Sequence, residues 1–206
     1  RDPNIADNPP PGTGILAGLT AYYNFDENLI DQAHLTPGTA STTADDLAYV
    51  DGHSGAYGPG LFGSGGYAAA GPGTGHAETP SSVDNNGTGD AITVQWWGKV
   101  ASFDVNWQAG VAKGEGNNWR FHRQGGDQTV AWQGGGGDIG GGAAGPNVND
   151  AEWHHFVGTK DPVDGRVLYI DGALVATGAA GTPLAINDAL PLMVGENPQG
   201  NGRDWN

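Results

Sequence analysis

The chain has 206 residues and a formal net charge of −15, with eight Lys plus Arg against 23 Asp plus Glu, no Cys, 38 Gly and 13 Pro. So acidic a molecule would bind nucleic acid or any other polyanion against its own field, and the lack of Cys removes thiol catalysis and disulfides. The density of helix breakers excludes a helix bundle, seven Trp, six Tyr and five Phe are too much aromatic area for a disordered chain, and no apolar run approaches the ~18 residues of a membrane span. One domain built around one core is expected at this length.

Residues 1–13, from Arg1 to the Pro9-Pro10-Pro11-Gly12 run, read as a Pro-rich tail or linker, because proline cannot donate to a ladder. The first residue is not Met, so either a signal peptide has been removed or the chain is an excised domain. Gly18 to Phe25 reads as the first strand, with Leu19, Ala21 and Tyr23 on one face, Tyr22 on the other, and Asp26-Glu27-Asn28 ending it. A loop follows to Tyr49. From Gly52 to Gly75 glycine recurs every few residues, leaving short strands near Gly60 to Phe62 and Tyr67 to Ala70. Asp84 to Asp90 is a turn. Ala91 to Val100 carries apolar residues on both faces, as an inner strand covered on two sides would. Gly110 to Lys113, Asn118 to Arg123 and Gln128 to Gln133 predict three short strands, and the Gly-rich Gly134 to Gly145 stretch predicts a mobile loop.

The plainest signal runs from Glu152 to Gly178. Trp153 to Thr159 is a strand that ends in Asp161-Pro162-Val163-Asp164-Gly165; Arg166 to Ile170 runs back; Asp171-Gly172 accepts positive φ at both central positions of a type I′ turn; and Ala173 to Thr177 completes a three-stranded meander. Ala189 to Gly195 adds one further strand. Regular strands with turn punctuation and no helical period predict an all-β, two-sheet antiparallel sandwich.

Four stretches, in order, carry a family resemblance: Leu19 to Glu27 with Asp31, Ile92-Thr93-Val94-Gln95-Trp96-Trp97, Trp153-His154-His155-Phe156-Val157 with Leu168-Tyr169-Ile170-Asp171-Gly172, and Leu192-Met193-Val194-Gly195. Together they resemble a LamG-like jelly-roll domain of the concanavalin A-like lectin/glucanase superfamily, over residues 14–206. The resemblance implies a jelly-roll sandwich, and a calcium held in part by the acidic loop of Asp26, Glu27 and Asp31. Similar domains close with one more strand bearing an acidic pair, whereas this chain stops at Arg203-Asp204-Trp205-Asn206. Either the chain is a fragment, or the edge is completed by a strand from a neighbouring subunit, giving a homo-oligomer by strand exchange.

Chemistry is sparse. A retaining glycosidase of this superfamily needs two carboxylates on one strand face, about 5 Å apart. Here Glu27, Glu78, Glu115, Glu152 and Glu196 are isolated in loops or at strand ends, so no enzyme is expected. His154 and His155, adjacent on a strand, point to opposite faces and cannot share a metal. Asp84, Asn86, Thr88 and Asp90 place oxygens at alternate positions as a calcium loop begins, but Gln95 stands where a bidentate Glu is needed; a plain Asx-rich turn is the alternative. Possible metal ligands are therefore Asp26, Asp31, Asp84 and Asp90, for calcium. Trp96 or Trp97, Trp153, Phe156 and Tyr169 are assigned to the core. Trp107, Trp119, Trp132 and Trp205 sit among Gly, Asn and Gln, the pairing of flat ring and amide that a sugar face wants, and Trp119, Arg123, Trp132 and Gln133 are the expected ligand-binding set. The expectation is a non-catalytic binding module for carbohydrate, bacterial and extracellular or on a cell surface. The alternative is a structural or adhesive subunit that contacts extracellular protein.

Overall fold

The computed structural model describes residues 20–23, 48–50, 62–63, 67–68, 76–79, 89–100, 102–185, 189–199 and 202–205. Among these every regular element is a strand, apart from a 3-10 turn at Gly142–Ala144. The strands are β1 (Ala48–Val50), β2 (Phe62–Gly63), β3 (Tyr67–Ala68), β4 (His76–Glu78), β5 (Ile92–Lys99), β6 (Ala109–Ala112), β7 (Trp119–Arg123), β8 (Val130–Gly134), β9 (Trp153–Asp161), β10 (Gly165–Ile170), β11 (Ala173–Gly178) and β12 (Met193–Val194). A six-stranded sheet in the order β1-β4-β12-β6-β7-β8 faces a four-stranded sheet, β11-β10-β9-β5, and among the described residues β2 and β3 form a separate pair. Every pairing is antiparallel. This is the expected two-sheet sandwich.

The meander forms as the turn residues dictate: Asp171 and Gly172 take φ of +52° and +77°. The three short strands predicted between residues 110 and 133 are β6, β7 and β8. Of the predicted first strand, residues 20–23 are described and lie outside any strand, although Tyr23 packs on the core. The predicted strand at Ala189 to Gly195 contracts to Met193–Val194.

The core lies between the sheets and is aromatic. Trp96 on β5 stacks on Phe156 of β9 with ring centres 4.7 Å apart, and Phe121 of β7 lies 4.7 Å from Trp132 of β8. Glycines make room for these rings. A Cβ on Gly98 or Gly110 would stand 2.2 Å from Trp96, and one on Gly158 would stand 2.4 Å from Trp132. The Trp132 indole also donates to the Thr159 carbonyl at 3.0 Å, across the sandwich.

Three expectations change. β5 alternates, with Ile92, Val94, Trp96 and Gly98 toward the core and Thr93, Gln95, Trp97 and Lys99 toward solvent; among the described residues it pairs only with β9, so its outer face is uncovered. Trp153 and Tyr169 are not core residues: they share the outward parity of β9 and β10 and are 47% and 36% exposed, while Phe156 is buried. The Gly134 to Gly145 stretch is anchored rather than loose, because Ile139 exchanges two backbone hydrogen bonds with Trp132, both 3.0 Å, and packs on the core. Its glycines allow this approach: a Cβ on Gly140 would lie 2.3 Å from Leu168.

His154 and His155 do point to opposite faces. His155 stacks on Trp97 at 4.8 Å on the outer face, and His154 lies between Asp171 at 2.7 Å and Asp150 at 3.0 Å. Burial pulls the His154 imidazole down, but its hydrogen bonds and charge contacts with Asp171 and Asp150 outweigh that and hold it above its ordinary value.

Trp132→Ala should cost about 3 to 5 kcal/mol, the range for deleting a buried aromatic, and Trp153→Ala should cost less than half as much. Urea melts of the two variants beside the wild type measure both.

Candidate functional site

On β7 the parity that sends Trp119 and Phe121 into the core sends Arg120 and His122 out through the other face of the six-stranded sheet. The register extends this face: Arg120 sits opposite Gln133 of β8 and Ala112 of β6, and His122 opposite Ala131. Arg120, His122 and Gln133 are nonetheless all buried, because three loops fold over them.

The segment after β8 brings Asp138 to His122, whose Nε2 is 3.0 Å from Oδ1, while the His122 Nδ1 lies 2.8 Å from the Arg123 carbonyl. The β6–β7 loop brings Glu115, whose Oε1 accepts from Arg120 Nη1 at 2.6 Å. The C-terminal segment supplies Asn197, whose Nδ2 donates to the same oxygen at 2.7 Å, and Arg203, whose Nη1 also binds there. Burial pushes the Glu115 carboxyl up, but the charges of Arg120 and Arg203 outweigh it, and the group lies below the ordinary carboxylate value. Asp138 behaves likewise: burial raises it, and His122, Arg120 and Gln124 bring it below that value. Trp107, held at φ +67° in the loop before β6, sets its partly exposed ring 5.5 Å from that of His122.

Within this otherwise saturated network three buried atoms have no hydrogen-bond partner: the donor Arg120 Nε and the acceptors Gln133 Oε1 and Gln124 Oε1. Buried polar groups are nearly always paired, so such atoms mark a place where another group belongs.

Of the expected ligand-binding residues, only Gln133 lies on this face, where its Nε2 donates to the Gly136 carbonyl at 2.8 Å. Trp119 and Trp132 are 3% and 0% exposed and pack in the core, since they share the inward parity of Phe121 and Val130. Their rings are not at a sugar-facing surface. Arg123 clamps backbone instead, donating to the carbonyls of Asp127 at 2.7 Å, Val105 at 2.8 Å and Gly126 at 2.5 Å, with its guanidinium 5.1 Å from the centre of the Phe103 ring. Trp205 is buried as well, its indole donating to the Lys99 carbonyl at 2.9 Å.

Asp26, Asp31 and Asp84 lie outside the described residues. Asp90 is described, and its oxygens are engaged: Oδ2 takes the ammonium of buried Lys160 at 3.1 Å and Oδ1 the Leu184 N–H at 2.6 Å. Among the described residues no group of three or more His, Asp or Glu is arranged to hold a metal. Sequence reasoning passed over Arg120, His122, Glu115, Asp138 and Arg203. The parity opposite Trp119 and Phe121 was the available signal for the first two.

A second surface is open on the outer face of the four-stranded sheet, where Trp97 is 64% and Leu174 59% exposed beside Trp153 and Tyr169.

A family model described as the concanavalin A-like lectin/glucanases superfamily, of the Laminin_G_3 type, matches residues 70–206. The chain belongs to that superfamily. Its six-stranded sheet recruits β1 from before the matched range, by pairing with β4. Among solved structures this superfamily member is similar to domain 4 of AbnA, a GH43 extracellular arabinanase from Geobacillus stearothermophilus, in complex with arabinotriose. The identity is 20% and the TM-score 0.56, over 90% of this chain and 87% of that one, which is a likeness of fold. A fainter likeness to the binding domain of Paraclostridial Mosquitocidal Protein 1 covers 77% of this chain and 39% of that one, at 13% identity and a TM-score of 0.43. No curated protein sequence matches.

Asp90→Asn should lower stability by about 1 to 3 kcal/mol, because a buried ammonium loses its anionic partner. The loss should be the same in calcium and in chelator. Thermal melts under both conditions test it; a loss seen only in calcium would make Asp90 a metal ligand.

Proposed function

We propose that the chain is a non-catalytic, extracellular carbohydrate-binding module of a bacterial protein, and that it takes a neutral glycan on the outer face of the six-stranded sheet. The observation that carries this reading is the unpartnered pair on neighbouring strands: a donor, Arg120 Nε, and an acceptor, Gln133 Oε1, in register on one face. A sugar hydroxyl is the group that accepts from one and donates to the other. Trp107, beside His122 two residues along β7 from Arg120, offers a partly exposed ring for a sugar face to stack on. The similar arabinanase domain, which was solved with arabinotriose, supports the choice of ligand class.

Neutrality follows from charge. Both guanidiniums near the site are already bound to Glu115, and five of the eight bases, Lys113, Arg120, Arg123, Lys160 and Arg166, are buried, so an anionic glycan would meet a carboxylate-dominated surface. Glycoside hydrolysis needs a carboxyl raised to act as acid. Glu115 and Asp138 are both held low, and Glu196, which is pushed up, is 1% exposed and accepts backbone N–H groups. Calcium held in part by Asp26 and Asp31 belongs to the same reading and rests on the sequence resemblance.

A second reading, a structural or adhesive subunit that docks on protein or on its own copies, is favoured by the exposed Trp97, Trp153, Tyr169 and Leu174. Sedimentation at increasing concentration tests it. A monomer throughout leaves the glycan reading standing, whereas an oligomer abolished by Trp97→Ala favours the second.

Calorimetric titration with a panel of neutral and acidic polysaccharides, arabinan included, should detect binding to a neutral member. Trp107→Ala should weaken it about tenfold or more with little change in melting temperature, whereas Gln133→Ala and Arg120→Lys should weaken it about as much and also lower the melting temperature, because each disturbs a buried hydrogen bond. Binding to none of the panel would overturn the proposal.

A further inference from the structure

The described residues 195–199 and 202–205 carry two carboxyl groups that are hydrogen-bonded to each other in a buried place. Glu196 is 1% and Asp204 7% exposed, and the Asp204 Oδ1 has no partner. Glu196 organises the segment by accepting the backbone N–H groups of Asn197 at 2.8 Å, Gly202 at 3.1 Å and Arg203 at 3.1 Å. Two of those residues, Asn197 and Arg203, are the ones whose side chains reach Glu115 beside Arg120. The same segment is tied to the sheets by Gln108, which donates to the Asp204 carbonyl at 2.9 Å, by the Ala109 N–H, which donates to the Arg203 carbonyl at 2.9 Å, and by the Trp205 ring, 5.3 Å from both Trp96 and Phe103.

We propose that the Glu196–Asp204 pair is a proton-controlled latch on the glycan site, closed while the two carboxyls share a proton and opened when that proton leaves. Carboxyls forced together out of water cannot both ionise cheaply. Burial, with the neighbouring Asp204 charge, pushes Glu196 up to about 7, against the backbone N–H groups that favour its charge. The sign follows: between the ordinary carboxylate value and about 7 the closed form holds a proton that the open form does not, so closure is fully favoured below that ordinary value, weakens as pH rises through this range, and has lost this contribution above about 7. When the latch opens, Arg203 and Asn197 leave Glu115, and Arg120 loses the frame that aims its guanidinium.

The charged groups facing the pair are few. Arg203 lies on its own segment; Glu115 from the β6–β7 loop and Arg120 from β7 face it through Arg203, with Asp138 beyond Arg120. His122 contacts Asp138, and His154, held above its ordinary value, lies on the other sheet between Asp171 and Asp150.

The proposal rests on the glycan reading for its consequence but not for its mechanism, and two readouts on the full chain keep them apart. The indole N–H resonance of Trp205, assigned with Trp205→Phe, should titrate with a midpoint near 7 in the wild type. It should be flat from pH 6 to 8 in Glu196→Gln, and in Asp204→Asn, which keeps the buried Glu196 but removes the neighbouring charge, its midpoint should move below that of the wild type; the second variant stands in if the first does not fold. Affinity for the neutral glycan should fall about tenfold over the same range in the wild type, stay level in Glu196→Gln, and fall at lower pH in Asp204→Asn. A flat Trp205 signal in the wild type, or a pH-dependent affinity that survives unchanged in a folded variant, overturns the latch. A titrating Trp205 with no glycan bound at any pH supports the latch and overturns the glycan reading.

Discussion

Gly158 leaves the space that the Trp132 indole fills, and the separation of the two sheets is set at that contact. Trp132 is fully buried, lies against Phe121 on its own sheet, and donates across the sandwich to Thr159, so it serves both as packing and as a polar tie between layers. Trp96 repeats the arrangement from the other sheet, lodged against Gly98 and Gly110. Large rings paired with absent side chains give interdigitation without strain, which is how a glycine-rich chain still reaches close packing. The outer face of β7 and β8 depends on this: with Trp119, Phe121 and Trp132 fixed inward, Arg120 and Gln133 have only one direction left.

The scarce bases are spent as internal braces. Lys160 binds Asp90, one of the expected calcium ligands, and the carbonyls of Ala180 at 2.7 Å and Thr182 at 3.1 Å. Arg166 holds the Ala179 carbonyl at 2.8 Å and also that of Gly137. Each cation gathers carbonyls from segments with little apolar area of their own, so the long Gly- and Ala-rich connections are held by charge-assisted hydrogen bonds rather than by burial. Such a site tolerates Lys or Arg poorly exchanged, since reach and donor geometry differ.

Turn chemistry is local, and the meander was legible for that reason: Asp171-Gly172 dictates its own geometry and fixes the register of β10 against β11, apart from one bulge. Which face of a strand looks inward is not local. On β9 the inward parity is His154, Phe156, Gly158 and Lys160, poorer in apolar character than the outward Trp153, His155, Val157 and Thr159, so counting hydrophobic residues selects the wrong face. On β7 all five residues are buried, and no alternation of polarity marks Arg120 and His122 as a second surface. Their partners arrive from separate loops, Glu115 five residues and Asp138 sixteen residues away, with Arg203 another 88 residues from Glu115. Spacing along the chain carries no trace of such a meeting.

Burying the bases also changes what the folded molecule offers to a protease that cuts after Lys or Arg. Lys113, Arg120, Arg123, Lys160 and Arg166 are closed to it, and Lys99 is exposed but ends a strand whose backbone is paired to Trp153. A protease cleft needs an extended segment free to leave its ladder, so trypsin-like cleavage within these strands must wait for local opening. The arrangement that makes the surface acidic thereby closes five of the basic positions to one whole class of degrading enzyme.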